Sequence, residues 1–415
     1  MLVQTLLNKF FKLKSFVFKK VVFNDTEELE IEVVPRLNGK VYCSKCKKSC
    51  SSCYDKLKKR RYEFVPLWGV KVFLVYQPRR VSCKRCGIKV ERVPWSTGKD
   101  SSTTMFKLFI CHWAKYLSWK EVACEFGISW QKVFSSVEYV VNWGLSKRDL
   151  SGVTAIGIDE IKIRVGHRYA TLVYQLNTNS RRLLWIGEAR RAKTLLRFFK
   201  LLGKEQSGKI EYVCSDMWQA YLKVIKKKIP KALHILDRFH IVANLNKALA
   251  EVRAKEARQL ESDGYEAVLK NTKYTLMKRK ENLTKKQSYT LKELLTYNLK
   301  SVKAYLLKED FNNFWKYTSV AWAEKFLDAW IKRVMYSKIK PMKKQARSIR
   351  KHKSLILNWF RAKKQFSSGI VEGFNCKAKL TMRKAYGFRT FKGLEIALYH
   401  AMGDLPEPEI AHRFW

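Results

Sequence analysis

One stretch limits the fold of this chain more than any other: Ala155-Ile156-Gly157-Ile158-Asp159-Glu160-Ile161-Lys162-Ile163. Apolar residues alternate there with small or charged ones and isoleucine recurs, the pattern of a strand with one well-buried face. Two adjacent carboxylates, Asp159 and Glu160, interrupt it. Neighbouring side chains on a strand point to opposite faces, so a given face receives one of the two. A carboxylate inside a sheet is costly without a partner. In a basic chain, a metal ion that itself faces a phosphate is an obvious partner.

The segments that follow predict what this strand belongs to. Residues 155–163, 168–176 and 182–186 read as consecutive strands, with polar turns at Gly166-His167 and 177–180. A helix over 192–202, a strand over 210–215, a helix over 217–228 and a strand over 232–236 come next. Three strands, helix, strand, helix, strand is the order of an RNase H-like mixed sheet within a multidomain α/β protein. Asp216 and Asp237 each fall where a strand ends, and open α/β sheets place ligand sites at the carboxyl ends of their strands.

Beyond residue 243 the chain reads as helix up to about 365, with one glycine (Gly264) and one proline (Pro341) from Asn244 on. Phe311, Phe314, Trp315, Trp322, Phe326 and Trp330 recur at helical spacing, as the core of an all-helical insertion would. A base-stacking platform is the rival reading of the same aromatics. No Asp or Glu lies between Asp328 and Glu372, and the next acid is Glu395. Glu372 is thus a lone carboxylate in a basic stretch. On a helix, residues 372, 375 and 379 share a face, which would show Glu372, Asn375 and Lys379: an acid for metal, an amide, and a cation for phosphate.

The N-terminal part carries Cys43-Ser44-Lys45-Cys46 and Cys83-Lys84-Arg85-Cys86, separated by strand-forming sequence. Two such knuckles supply the four thiolates of a zinc ribbon, so Cys43, Cys46, Cys83 and Cys86 are the candidate Zn²⁺ ligands; a set of reduced structural thiols is the alternative. Cys50 and Cys53 form a third pair, able to replace a ligand. Isolated Cys111, Cys124 and Cys214 read as buried thiols. Ser118-Trp119-Lys120-Glu121 fits a capping box, with a turn at Gly127 and a second start at Ser129. That is the size of a helix-turn-helix, and an ordinary helical hairpin fits it too. On the second helix Gln131, Lys132, Ser135 and Ser136 are the candidates for DNA contact.

Charge decides the class of partner. The chain has 84 Lys and Arg against 36 Asp and Glu, a formal charge of +48, too large a surplus for one solvated helix face. It implies a polyanion, most simply nucleic acid; a ribosome-associated or membrane-surface protein is the alternative. No apolar run approaches the roughly 20 residues of a membrane span. Residues 1–18 read as an amphipathic or core segment rather than a signal peptide.

The chain resembles the ISL-three family of bacterial insertion-sequence transposases, of the DDE group. The resemblance runs nearly end to end. It rests on the C-x-x-C pairs, on Val122-Ala123-Cys124-Glu125-Phe126-Gly127-Ile128-Ser129-Trp130, on Gly157-Ile158-Asp159-Glu160, on Ser215-Asp216-Met217-Trp218-Gln219-Ala220-Tyr221, on Asp237-Arg238-Phe239-His240, and on Val371-Glu372-Gly373-Phe374-Asn375 through Tyr386-Gly387-Phe388-Arg389. It implies Asp159, Asp216 and Glu372 as a catalytic, metal-binding triad, taking two Mg²⁺ or Mn²⁺ per site, with Asp237 and His240 in support. Ser368 and Cys376 depart from residues common in the family.

Together these readings predict an N-terminal strand and zinc module over 1–95 and a helix-turn-helix over 96–150. An RNase H-like core would occupy 151–243 and 366–415, split by the helical insertion over 244–365. Trp218, Lys379 and Arg389 are further candidates for contact with DNA. The resemblance implies a bacterial, cytoplasmic, nucleoid-associated protein acting as a dimer or higher oligomer on double-stranded element ends and target DNA. It would cut strands and transfer their 3′-hydroxyls. The alternatives are an inactive, domesticated DNA-binding descendant and a cellular RNase H-like nuclease.

Overall fold

The β-branched runs after residue 153 pair into one five-stranded mixed sheet in the computed structural model. Its strands are β1 (Ala155–Arg164), β2 (Arg168–Asn177), β3 (Ser180–Glu188), β4 (Tyr212–Ser215) and β5 (Leu233–Leu236), in the spatial order β3-β2-β1-β4-β5. The first three are antiparallel neighbours; β4 runs parallel to β1, and β5 parallel to β4. The structure describes residues 3–11, 13, 15–164, 168–364 and 368–408, so the expected turn at Gly166-His167, and Ser367, lie outside the described residues.

Helices α1 (Ala192–Leu202) and α2 (Gln219–Lys228) follow β3 and β4. Leu195 and Phe198 of α1 and Tyr221 and Ile225 of α2 form one buried cluster with Ile156, Ile158 and Val173 of the sheet. The other face of β1 receives α5 (Ser368–Lys384). A Cβ on Gly157 would come within 2.7 Å of the Val371 side chain, so the glycine is what lets this helix lie against the strand.

Between α3 (Arg238–Ser262) and α4 (Lys353–Arg361) the described chain is helix and loop without strands. Phe311, Phe314 and Trp330 are fully buried there, and the Trp330 indole N–H donates to the Leu307 carbonyl at 2.8 Å. Trp322, expected in this core, is 62% exposed. It lies on the outer side of its helix with the Lys325 ammonium over its ring at 4.9 Å.

The chain divides into two compact units, Asp149–Lys379 and a second made of Met1–Arg148 with Leu380–Trp415. Residues from 380 on therefore group with the N-terminal part, whereas the sequence placed the whole of 366–415 with the catalytic core. Helix Phe391–Met402, with Leu394, Ile396 and Leu398 buried, packs on helix Trp130–Lys147. Gly144 of the latter sits so close to Leu405 that a Cβ would meet its side chain at 2.7 Å. The N-terminal sheet pairs Phe16–Phe23, Leu29–Pro35, Val70–Tyr76 and Arg60–Leu67 in that spatial order. No helix among the described residues is long and apolar enough to cross a membrane.

Candidate active site

Strand register builds the site. Gly157 of β1 pairs with Cys214 of β4, and Ser215 of β4 with Leu236 of β5. Carried to the strand ends, those registers set Asp159, Asp216 and Asp237 level across three neighbouring parallel strands, which lie about 4.8 Å apart. The three aspartates line one small pocket of about 20 Å³, walled by Ile158, Leu236, Trp359 and Val371. That is room for roughly one water or ion.

Asp159 is held from two sides. One carboxylate oxygen accepts the Glu160 backbone N–H at 2.7 Å, the other the Asn375 amide at 2.5 Å. Asn375, 8% exposed, in turn accepts the Tyr174 hydroxyl at 2.9 Å. Tyr174 stacks on Phe374, with centroids 4.7 Å apart. Burial pushes the Asp159 carboxyl up, against the pull of the Glu160 amide, nearby His240 and Asn375.

Glu160 faces the other way, as strand alternation requires. There Arg190 bridges it to Asp216: the guanidinium Nε lies 2.9 Å from Glu160 Oε1 and Nη2 lies 2.9 Å from Asp216 Oδ2. The Glu160 contact is ionic and lacks hydrogen-bond alignment, since both of its atoms are buried without such a partner. Burial, and then the Asp216 charge, push the Glu160 carboxyl up to about 7. Asp216 Oδ1 accepts the Trp218 backbone N–H at 2.9 Å. The Trp218 ring lies beneath Arg190 at 4.7 Å and edge-on to Tyr221 at 4.5 Å.

Asp237 caps α3, accepting the Phe239 N–H at 2.7 Å, with His240 Nε2 3.7 Å from its other oxygen. Glu372 is exposed on α5 and lines a second, larger cavity of about 790 Å³; Arg238 lines both cavities. The expected common face of Glu372, Asn375 and Lys379 is thus divided. Asn375 turns to the sheet, while Glu372 and Lys379 stay exposed. The donor set of Asp159, Asp216, Asp237 and Glu372 is all oxygen, which suits a hard divalent cation such as Mg²⁺ or Mn²⁺. Tyr174 and Arg190 escaped the sequence reading. Tyr174 becomes visible through its pairing opposite Gly157; Arg190, one of many basic residues, carried no signal.

Among the described residues, the potential metal ligands gathered within 4.8 Å of one another are Cys43, Cys46, Cys83 and Cys86. Backbone N–H donation from Arg85 leads in drawing the Cys83 thiol down to about 6. Four convergent sulfurs fit Zn²⁺. The Cys50 thiol is pushed up by burial and then by Cys83, Cys43 and Cys46, which places it beside this cluster. Cys111 and Cys214 are buried, but Cys124 is exposed, contrary to expectation; it sits on the outer side of a seven-residue helix that buries Val122.

That helix, Trp119–Glu125, begins with a complete capping box between Ser118 and Glu121. Gly127 turns the chain at φ +56°, and Ser129 caps Trp130–Lys147. Gln131 and Ser135 are exposed on it. Lys132 is engaged elsewhere, in an ion pair with buried Glu63 at 2.5 Å. Ser136 is buried and bonds back to the Lys132 carbonyl at 2.7 Å. Arg389 is exposed.

Residues 156–398 match the family model described as Transposase, of the ISL3 group. The transposase of insertion sequence element IS1001 from Bordetella parapertussis is 28% identical over 350 residues, covering 84% of this chain and 85% of the relative. That of IS1557 from Mycobacterium tuberculosis is 29% identical over 392 residues, covering 88% and 86%.

Proposed function

We propose, from the premise that this chain belongs to the ISL3 family of insertion-sequence transposases, that it binds the terminal inverted repeats of its element and performs strand cleavage and strand transfer at Asp159, Asp216 and Glu372. The sheet order β3-β2-β1-β4-β5 supports an RNase H-like core. The observation that carries the reading is the level row of aspartates at the ends of β1, β4 and β5, lining one cavity.

In this reading Asp159, Asp216 and Glu372 hold two divalent cations, with Asp237 and His240 in support. When bound, such ions activate the attacking oxygen and stabilise the leaving one. The chain's own groups prepare the site. Asn375 and Tyr174 hold the Asp159 carboxylate in one orientation, limiting its rearrangement during the reaction. Arg190 bridges Asp216 and Glu160 and offsets part of their charge; it would yield Asp216 to a bound cation. Water opens one phosphodiester bond, leaving a 3′-hydroxyl and a 5′-phosphate. The 3′-oxygen then attacks a target phosphate, and the target's own 3′-oxygen leaves.

DNA would be recognised by the helix-turn-helix through Gln131 and Ser135, next in sequence to a zinc module built on Cys43, Cys46, Cys83 and Cys86. Lys379 and Arg389, each exposed, would meet phosphate, and two copies would pair two ends. Incubating the full chain with inverted-repeat DNA and Mg²⁺ tests the reading. Nicking at the repeat boundary is expected, lost in Asp159→Asn and in Glu372→Gln and retained in Glu160→Gln. Wild-type nicking by either of the first two variants overturns the site assignment.

A further inference from the structure

The larger cavity, on which Glu372 borders, is not used by the chemistry described above. It lies between α3, α5 and the insertion segments around Arg279 and Trp315. Its walls mix charge: Lys308 is already paired with Glu309 at 2.7 Å, which leaves Arg238, Arg279 and Lys316 against Glu281 and Glu372. A phosphate would meet carboxylates there, so the cavity is poorly suited to a bare anion. Its other walls suit a flat heterocycle. Phe239 presents a ring that is 53% exposed. Arg238 lies beside the edge-to-face pair of Trp315 and Trp359, 5.7 Å from each ring. Asn246, Asn312 and Asn313 add amide groups, each able to donate and accept.

Two lining residues also hold unused hydrogen-bonding capacity. Asn246 Oδ1, an acceptor, and Trp315 Nε1, a donor, are both buried without a partner. An unmade bond of that kind is costly, and a small side-chain rotation toward a bound base would recover it. The volume, about 790 Å³, is in the range of small-molecule sites.

We infer that this cavity receives a nucleobase unstacked from the DNA strand next to the scissile phosphate, stacked against Phe239 and read along its edge by the asparagines. This inference rests on the proposed transposase reading. Aromatic stacking on an extruded base is favourable and tolerates any base. Unstacking a paired base is costly, so the amide contacts are needed to balance it. With the base held here, its backbone phosphates pass Arg238 toward the three aspartates.

The test uses the full chain in Ca²⁺ buffer and inverted-repeat duplexes carrying 2-aminopurine at successive positions around the cut. Anisotropy of a labelled end reports binding separately. One position is expected to brighten several-fold on binding. Phe239→Ala and Asn246→Ala are expected to lose that rise and to slow nicking in Mg²⁺. Trp322→Ala, exposed on another part of the insertion, is expected to keep it. Phe239→Leu, which preserves bulk without an aromatic face, guards against a folding defect and should also lose most of the signal. Binding and nicking with no position brightening would overturn the inference and leave the transposase reading standing. Absence of end binding or of nicking would overturn that reading, and this inference with it.

Discussion

Asn375 shows how much one amide decides. Its two ends join the Asp159 carboxylate to the Tyr174 hydroxyl. Asn375→Ala strands two buried polar groups, each at about 1–3 kcal/mol, and frees the carboxylate to turn. We expect nicking to fall about 10²-fold, the scale of an ångström's misplacement, whereas Tyr174→Phe, which removes one hydroxyl, should cost less than about tenfold. Single-turnover nicking rates check both, with thermal unfolding to separate stability from alignment. A second residue-scale expectation concerns pH. Burial lowers the His400 imidazole to about 4 from its ordinary 6.5, beside Cys111 Sγ at 3.1 Å. The unfolded chain binds a proton below 6.5 and the folded one does not, so the unfolded state gains as pH falls. His400 thus contributes stability that is complete above about pH 6.5 and is lost toward pH 4, roughly 2 kcal/mol by pH 5. Asp159, Glu160 and Glu395, whose carboxyls are pushed up, act in the opposite sense. The readout is therefore the difference between wild type and His400→Gln, measured by denaturant melts between pH 5 and 7. A wild-type curve no steeper than the variant's would contradict it.

At the level of elements, alternation and turn chemistry make the sheet legible in the sequence. The strands over 155–236 fall within a few residues of expectation, and the opposite facing of Asp159 and Glu160 follows from period two. Helical faces were less legible. Glu372, Asn375 and Lys379 span an arc wide enough that Asn375 meets the sheet while its neighbours do not. Trp322 and Cys124 looked apolar enough for a core, yet periodicity says which face is apolar, not how many neighbours cover it. Arg190 was invisible because its partners come from two segments remote from it in sequence, Glu160 on one strand and Asp216 with Trp218 beyond another. Gly157 is the element-scale test of the site. The close approach of Val371 depends on the missing Cβ, so Gly157→Val must push α5 off β1 or distort the strand. Overpacking of this kind typically costs about 1–3 kcal/mol. Because α5 carries both Asn375 and Glu372, nicking should fall further than the lost stability explains. Gly157→Ala should lie between, and a variant that is less stable yet nicks normally at low temperature would mean that α5 does not position the site.

For the whole molecule, the charge of +48 predicts that end binding weakens steeply with salt. Neutralising some six to ten phosphates would lose about 10³–10⁵ in affinity between 50 and 200 mM. Few of those contacts can be assigned by charge alone, and Lys132 shows why. By sequence it is a basic residue at the start of a recognition helix. In the fold its ammonium is held by Glu63, which is 6% exposed. A cation already spent on a buried carboxylate has little left for a phosphate. Lys132→Ala should therefore leave the salt slope of end binding unchanged and instead destabilise the protein by about 1–3 kcal/mol, by leaving Glu63 buried and unpaired. Gln131→Ala, at an exposed position one residue earlier, should relax discrimination between the cognate repeat and a scrambled duplex with no loss of stability. Fluorescence anisotropy across a salt series, paired with melts of the same variants, separates these outcomes. A slope reduced by about one in Lys132→Ala, the signature of a lost phosphate contact, would show that the lysine leaves Glu63 for DNA.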